Sequence, residues 1–225
     1  MTNEITKTNM IPFRYRHNED LINKLNEMEP KVPSMFFNPN IINIFTDASK
    51  PDSFSGGVIS HCITQTINGI TATVLADSKR VNCNSTQEAE LIALIYALIN
   101  YNNMNLYNVS CVNIFTDSLT NVKNVRPYFI AMNNINSEQD MNTYLNSIDE
   151  ELSLSDYLWL MCAERIRIKA PVNLYYIKAH TNDVAFIRTK FESVNGESIT
   201  MNDSIKLGNY NCLVNSEVNK SLRVI

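Results

Sequence analysis

The chain has 225 residues, 44 % hydrophobic, 19 % charged and with a formal net charge of −4. That is enough to bury a core as one domain with insertions. It excludes a collagenous or low-complexity chain, and the acidic balance excludes a broad, nonspecific electrostatic grip on nucleic acid. The longest apolar run, residues 91–99, is far short of a membrane span, and residues 1–10 lack the apolar stretch of a signal peptide. Five cysteines, at 62, 83, 111, 162 and 212, form no Cys-x-x-Cys pair. They are expected to be buried thiols of an intracellular, reducing compartment, with a viral or mobile-element origin among the alternatives.

Residues 1–39 read as an extension and linker, and residues 40–225 as the folded domain. Asn18 is placed to cap a short helix running to Met28. Pro30, Pro33 and Pro39 then forbid helix. Arg14 and Arg16 are candidates for a phosphate backbone, although such an arm more often packs on its own domain.

The pentapeptide Asn-Ile-Phe-Thr-Asp occurs twice, ending at Asp47 and at Asp117. In the first copy residues 41–46 are β-branched and aromatic and read as a buried strand; Ser49, Lys50, Pro51 and Asp52 then turn the chain. The second copy closes a strand over residues 109–116. Either aspartate alone is explained as a strand-end turn residue or a helix N-cap. If the two strands lie parallel and adjacent, however, both carboxylates converge at one sheet edge, where open α/β sheets keep their sites.

Between the copies, residues 58–66 and 70–76 flank Asn68-Gly69, the strongest short-range hairpin signal. With the first strand they predict a three-stranded antiparallel meander. His61 falls within it and reads as a packing residue. Ser85-x-x-Glu88 is a capping box opening a helix to Leu98 that is apolar nearly all round. Glu88 belongs to that cap. Glu90 has no local role, and a carboxylate in a buried helix is unfavourable unless paired or bound to metal.

After Asp117 a short helix over residues 118–125 is expected, stopped by Pro127, with residues 133–150 polar and irregular. Residues 149–167 predict a second long helix, ended by Pro171, and residues 172–180 a fifth strand finishing at His180. Residues 184–203 carry no clear element. Residues 205–222 read as helical, with Gly208-Asn209 as a potential break. Insertions are placed around 126–150 and 181–203.

Four motifs in this order resemble ribonuclease H of the type 1 class: Phe45-Thr46-Asp47-Ala48-Ser49, Ser85-Thr86-Gln87-Glu88-Ala89-Glu90-Leu91, Phe115-Thr116-Asp117-Ser118 and Tyr176-Ile177-Lys178-Ala179-His180. The resemblance runs from about residue 40 to the end. It implies an α/β fold with a five-stranded mixed sheet flanked by helices on both faces. It also implies a metal-dependent endonuclease that hydrolyses the RNA strand of RNA–DNA hybrids with two Mg²⁺ ions, Mn²⁺ substituting. Asp47, Glu90 and Asp117 match the family's metal-binding carboxylates and His180 its loop histidine. Thr86 and Gln87 match residues that touch the hybrid's minor groove, and Ser49 and Ser118 fall beside them as substrate contacts. The fourth carboxylate is matched by Asn215, an amide, with Asp183 and Asp203 as candidates to restore its charge. The glycine-rich loop after the first strand and the basic protrusion have no counterpart. Two other readings stand beside this one: another nuclease or an integrase on the same fold, and a hybrid-binding module that has lost turnover.

Overall fold

A computed structural model of the chain describes residues 33–223 apart from 105, 107, 150, 151, 179, 180 and 182. The strands are β1 (Ile41–Ser49), β2 (Gly56–Ile67), β3 (Ile70–Asn82), β4 (Cys111–Thr116) and β5 (Val172–Tyr176). The helices are α1 (Thr86–Asn102), α2 (Leu119–Met132), α3 (Glu138–Asn146), α4 (Leu152–Ile168), α5 (Val184–Asn195) and α6 (Met201–Arg223). The sheet order is β3-β2-β1-β4-β5. β1, β4 and β5 run parallel, while β2 is antiparallel to both neighbours.

The repeated pentapeptide has a physical meaning in this sheet. Asn43 lies opposite Asn113, Ile44 opposite Ile114, Phe45 opposite Phe115 and Thr46 opposite Thr116. Alternation then sends each pair to one face. The isoleucines enter the core under α1, α2 and α4, with Val112, Leu174, Leu94 and Leu98. The phenylalanines enter the core under α5 and α6, with Phe191, Leu207 and Val214. On that second face Phe45 stacks on Phe115 at 5.0 Å and Phe115 on Tyr175 at 5.5 Å. One step back, Asn113 donates to Asn43 Oδ1 (3.3 Å) and Asn173 to Asn113 Oδ1 (3.2 Å). Buried amides that satisfy one another only in this alignment penalise any slip of the strands. Asn43 also donates to the carbonyl of Phe36 (3.0 Å), which with Phe37 is buried in the same core.

The hairpin turns at Asn68 and Gly69 with φ of 51° and 77°, as that dipeptide predicts. His61 is buried as a packing residue, edge-on to Tyr96 at 5.3 Å, and burial lowers its pKa to about 4.

Several elements differ from expectation. β3 continues past Ala76 to Asn82 because β2 pairs with it along its whole length, Gly56 opposite Asn82. Pro127 does not stop α2 but lies inside it. Its ring is exposed, and the one hydrogen bond it forfeits is outweighed by burial of Val122, Val125, Phe129 and Met132. Residues 133–150 are not irregular: Ser137 accepts from the Asp140 amide (3.1 Å) and caps α3, whose sole buried residue is Met141. β5 ends at Tyr176, short of His180. The stretch from 184 holds α5, capped by Asp183 and closed by left-handed Gly196 (φ 76°). Gly208 does not break α6; a Cβ there would lie 2.8 Å from Ile187 Cδ1, so glycine lets α5 and α6 approach closely. The helix expected at Asn18–Met28, and Arg14 and Arg16, lie outside the described residues.

β5 is an edge strand, and its free side is covered by side chains. Asn195 accepts from the Tyr176 N–H and donates to the Tyr176 carbonyl, both at 2.9 Å, and Arg126 Nε donates to the Leu174 carbonyl at 2.9 Å. Strand-like pairing by an amide blunts an edge that would otherwise recruit another chain.

Candidate active site

β1 does not stop at residue 46 as expected but runs on to Ser49 against β2, whereas its parallel pairing with β4 ends at Thr46 opposite Thr116, so Asp47 and Asp117 follow that last pair side by side. Glu90 reaches them from the first turns of α1, which packs across β1. One carboxylate oxygen from each of the three lies within 4.8 Å of the other two. Asp47 and Glu90 are buried and Asp117 half-buried.

Local sequence sets this up. Ser85 caps α1 by accepting from the Glu88 amide (3.1 Å), and Glu88 returns a bond from the Asn84 amide (2.6 Å), one residue before the usual capping-box partner. Tyr157 also donates to Glu88 (2.7 Å), so Glu88 is occupied away from the cluster. Glu90, two residues on, turns inward. The Ala48 amide donates to Asp47 Oδ1 (2.9 Å) and to Glu90 Oε1 (3.2 Å), and the Thr116 hydroxyl donates to Glu90 Oε2 (3.4 Å). Of the repeated threonines only Thr116 bonds the cluster; Thr46 donates to the Phe115 carbonyl (3.4 Å).

These few donors leave a surplus of negative charge. Burial, and after it the Asp117 carboxylate, push Asp47 from 3.8 up to about 7, with the Ala48 amide opposing. Burial, then Asp117, then Asp47 drive Glu90 well above the usual range. Among the described residues, no lysine or arginine lines the cleft in which the three sit. A set of hard oxygen donors crowded together in this way fits a divalent ion such as Mg²⁺ or Mn²⁺.

The cleft has a volume of about 480 Å³ and gathers most of the residues expected from sequence: Ser49, Thr86, Gln87, Ser118 and Asn215 as well as the three acids. Asn215 comes from α6 on the opposite face of the sheet from α1. Its Oδ1 accepts from Asn219 Nδ2 at 3.0 Å, and the same amide donates to the Asn215 carbonyl at 2.9 Å. Asn219 and Thr120 also line the cleft and were not foreseen; helical spacing of four from Asn215 and of three from Asp117 is the signal that pointed to them. His180 lies outside the described residues. Neither candidate for restoring the charge reaches the cluster. Asp183 caps α5 by accepting from the Phe186 amide (3.0 Å), and buried Asp203 accepts from the Ser34 hydroxyl. Among the described residues no helix is long and apolar enough to cross a membrane.

Fold and cleft together define a mixed-sheet α/β protein with a buried carboxylate cluster at the tips of two parallel strands. The RNase H family model matches residues 39–188, two thirds of the sequence, and the chain belongs to that family. Among solved structures, LC11-RNase H1 from a compost metagenome, in complex with RNA/DNA hybrid, is 17 % identical over 80 % of this chain and 99 % of that one, with a TM-score of 0.43. Prototype foamy virus protease–reverse transcriptase is 17 % identical over 85 % of this chain and 21 % of that one, with a TM-score of 0.49. RNase H1 from the archaeon Halobacterium salinarum is 11 % identical over 70 % and 99 %, with a TM-score of 0.39. No curated protein matches the chain.

Proposed function

We propose that the protein is a metal-dependent endonuclease that hydrolyses the RNA strand of RNA–DNA hybrids. The observation that carries this is the cluster of Asp47, Glu90 and Asp117, with carboxylate oxygens within 4.8 Å of one another. Asp47, Glu90 and Asp117, with the carbonyl oxygen of Asn215, are the groups that would hold two divalent ions. Such a pair supplies the positive charge needed at the attacking and leaving oxygens of an in-line phosphodiester displacement.

The chain's own residues do the rest. The Ala48 amide and Thr116 hydroxyl fix the Asp47 and Glu90 oxygens, so the site is assembled before substrate arrives. Thr86 and Gln87 stand exposed at the start of α1, with Ser49 and Ser118 opposite. They are polar and uncharged, suited to the 2′-hydroxyls of a wide, shallow minor groove. The Asn121 amide donates to the Gln87 carbonyl (3.1 Å) and so ties α2 to that reading surface. His180 is assigned the movement of protons near neutrality.

Asn215 favours a second reading, an enzyme of reduced turnover or a hybrid-binding module, because an amide brings an oxygen but no charge. One experiment separates these. The protein is incubated with labelled RNA–DNA hybrid, duplex DNA and duplex RNA in Mg²⁺ or Mn²⁺. Cleavage of RNA only in the hybrid, faster in Mn²⁺, is expected. Binding without cleavage in either ion overturns the enzyme and leaves the module; cleavage of duplex DNA overturns the substrate.

A further inference from the structure

Away from the carboxylate cleft, a groove of about 510 Å³ runs between α2 and α5, beside the outer edge of β5. Leu119, Lys123, Arg126 and Ile130 form its α2 wall, a stripe at intervals of three and four, and Lys190 and Val194 form its α5 wall. Among the described residues three cations line it and no carboxylate does. In a chain of net charge −4 this excess is a local arrangement, not a consequence of composition.

Arg126 is fixed in the groove. Its Nε donates to the Leu174 carbonyl (2.9 Å), Nη1 to the Val194 carbonyl (3.2 Å) and Nη2 to Asn195 Oδ1. All three acceptors are neutral, so the guanidinium is oriented without being neutralised by an ion pair. Glu197 bears on it through space but accepts from the Tyr175 hydroxyl (3.4 Å) and does not line the groove. Lys123 is exposed and Lys190 half-buried, and neither is in an ion pair among the described residues. Around these charges the surface is apolar: Ile130 is 63 % exposed, and Phe186, one turn before Lys190 on α5, is 46 % exposed. Cations that track a backbone, with an aromatic face nearby for a base, are the means by which single strands are held.

The groove and the cleft flank the start of the same helix. Ser118 and Thr120 line the cleft, while Leu119 and Lys123 line the groove, so the first turn of α2 is a wall shared by both. From Leu119 to Ile130 the stripe is about 16 Å long at 1.5 Å per residue.

We infer that the α2–α5 groove is a second, non-catalytic site for the phosphate backbone of one nucleic-acid strand, holding a single-stranded extension of the hybrid beyond the cleavage position. This rests on the function proposed above for the cleft. The test compares the full chain with Lys123→Glu/Lys190→Glu and the milder Lys123→Gln/Lys190→Gln. Anisotropy of a labelled single-stranded oligodeoxynucleotide is read in chelator over a range of salt, with thermal midpoints as the folding control. The charge-reversed variant should bind about tenfold or more weakly, and loss of two phosphate contacts should lower the slope of log K on log salt by about 1.4. Its cleavage of a short blunt hybrid should be unchanged, while KM for a hybrid with an extension rises.

Unchanged affinity and slope overturn the groove, and so does tighter lysine-dependent binding of an acidic peptide than of the oligonucleotide. Lysine-dependent oligonucleotide binding by a wild type that cleaves no hybrid refutes the function of the cleft and leaves the groove standing. Hybrid cleavage with lysine-independent binding does the reverse.

Discussion

Replacing Asp47 by asparagine tests whether the carboxylate cluster is held against the cost of its burial and, after that, against its own repulsion. Asp47 titrates at about 7 when folded, against an ordinary value of 3.8. The folded state therefore holds this proton more tightly than the unfolded chain. Stability is undiminished below about pH 4 and is lost as pH rises through about 7. A rise of about three units corresponds to about 4 kcal/mol at alkaline pH, shared with Glu90, which is also raised. Asparagine keeps an oxygen for the Ala48 amide, and its own amide can donate to Glu90, which shares that Ala48 N–H. In chelator at pH 8 the variant should melt above the wild type, by up to about 10 °C for a chain of this size. The two should converge near pH 4. Mg²⁺ should raise the wild-type midpoint by linkage, shift the variant little, and support no cleavage by it. Circular-dichroism melts across pH, with and without Mg²⁺, read all of this. A variant that melts below the wild type at pH 8 in chelator, or a gap that does not narrow toward pH 4, would show that the Asp47 carboxylate is not held raised by burial beside Asp117.

Asn215→Asp should raise Mg²⁺ affinity and Mg²⁺-dependent hybrid cleavage, narrowing the advantage of Mn²⁺; calorimetric Mg²⁺ titration with cleavage rates checks it, and no gain in either removes Asn215 from the site. Asn113→Ala removes the donor to buried Asn43 Oδ1 and the oxygen acceptor of half-buried Asn173 and should destabilise by about 1–3 kcal/mol. A lower urea midpoint at unchanged m-value is the expected signature, and a midpoint within error of wild type refutes the ladder. Asn195→Ala uncovers Tyr176 N–H and C=O on the β5 edge and should cost about 2 kcal/mol. Concentration-dependent association in light scattering should accompany it, and a variant that stays monodisperse and equally stable refutes the edge-cover role.

Much of the site is legible in the chain itself. Two copies of one pentapeptide are two strands with the same alternation, and each delivers a carboxylate at its tip. The Asn68-Gly69 turn and the Ser85 cap are local, because the groups that satisfy them lie within a few residues. Glu90 stood out because nothing nearby in sequence accounted for it. By contrast α3 carries one buried residue, Met141, and leaves no periodic trace. The far half of β3 is polar and mostly exposed, and is a strand because β2 offers it a ladder. Pro127 is tolerated inside α2 because of what the other side of that helix buries. Asp183 and Asp203 were both plausible sources of the missing charge, until Asp203 proved to hold Ser34, 169 positions away in sequence, and Asp183 to cap α5.

The sequence by itself determined which residues can carry the chemistry and that the strands exist in this order, while the ends of β1, β3 and β5 were set by the neighbours they pair with. Only the tertiary structure decided that Asp47, Glu90 and Asp117 repel one another, that Asn215 is bonded to Asn219, and that Lys123 and Lys190 face across one groove. Local patterning reflects hydrogen bonds and burial satisfied within a turn or a strand. Charge acts through space, and the space between these groups exists only once the helices have packed on the sheet.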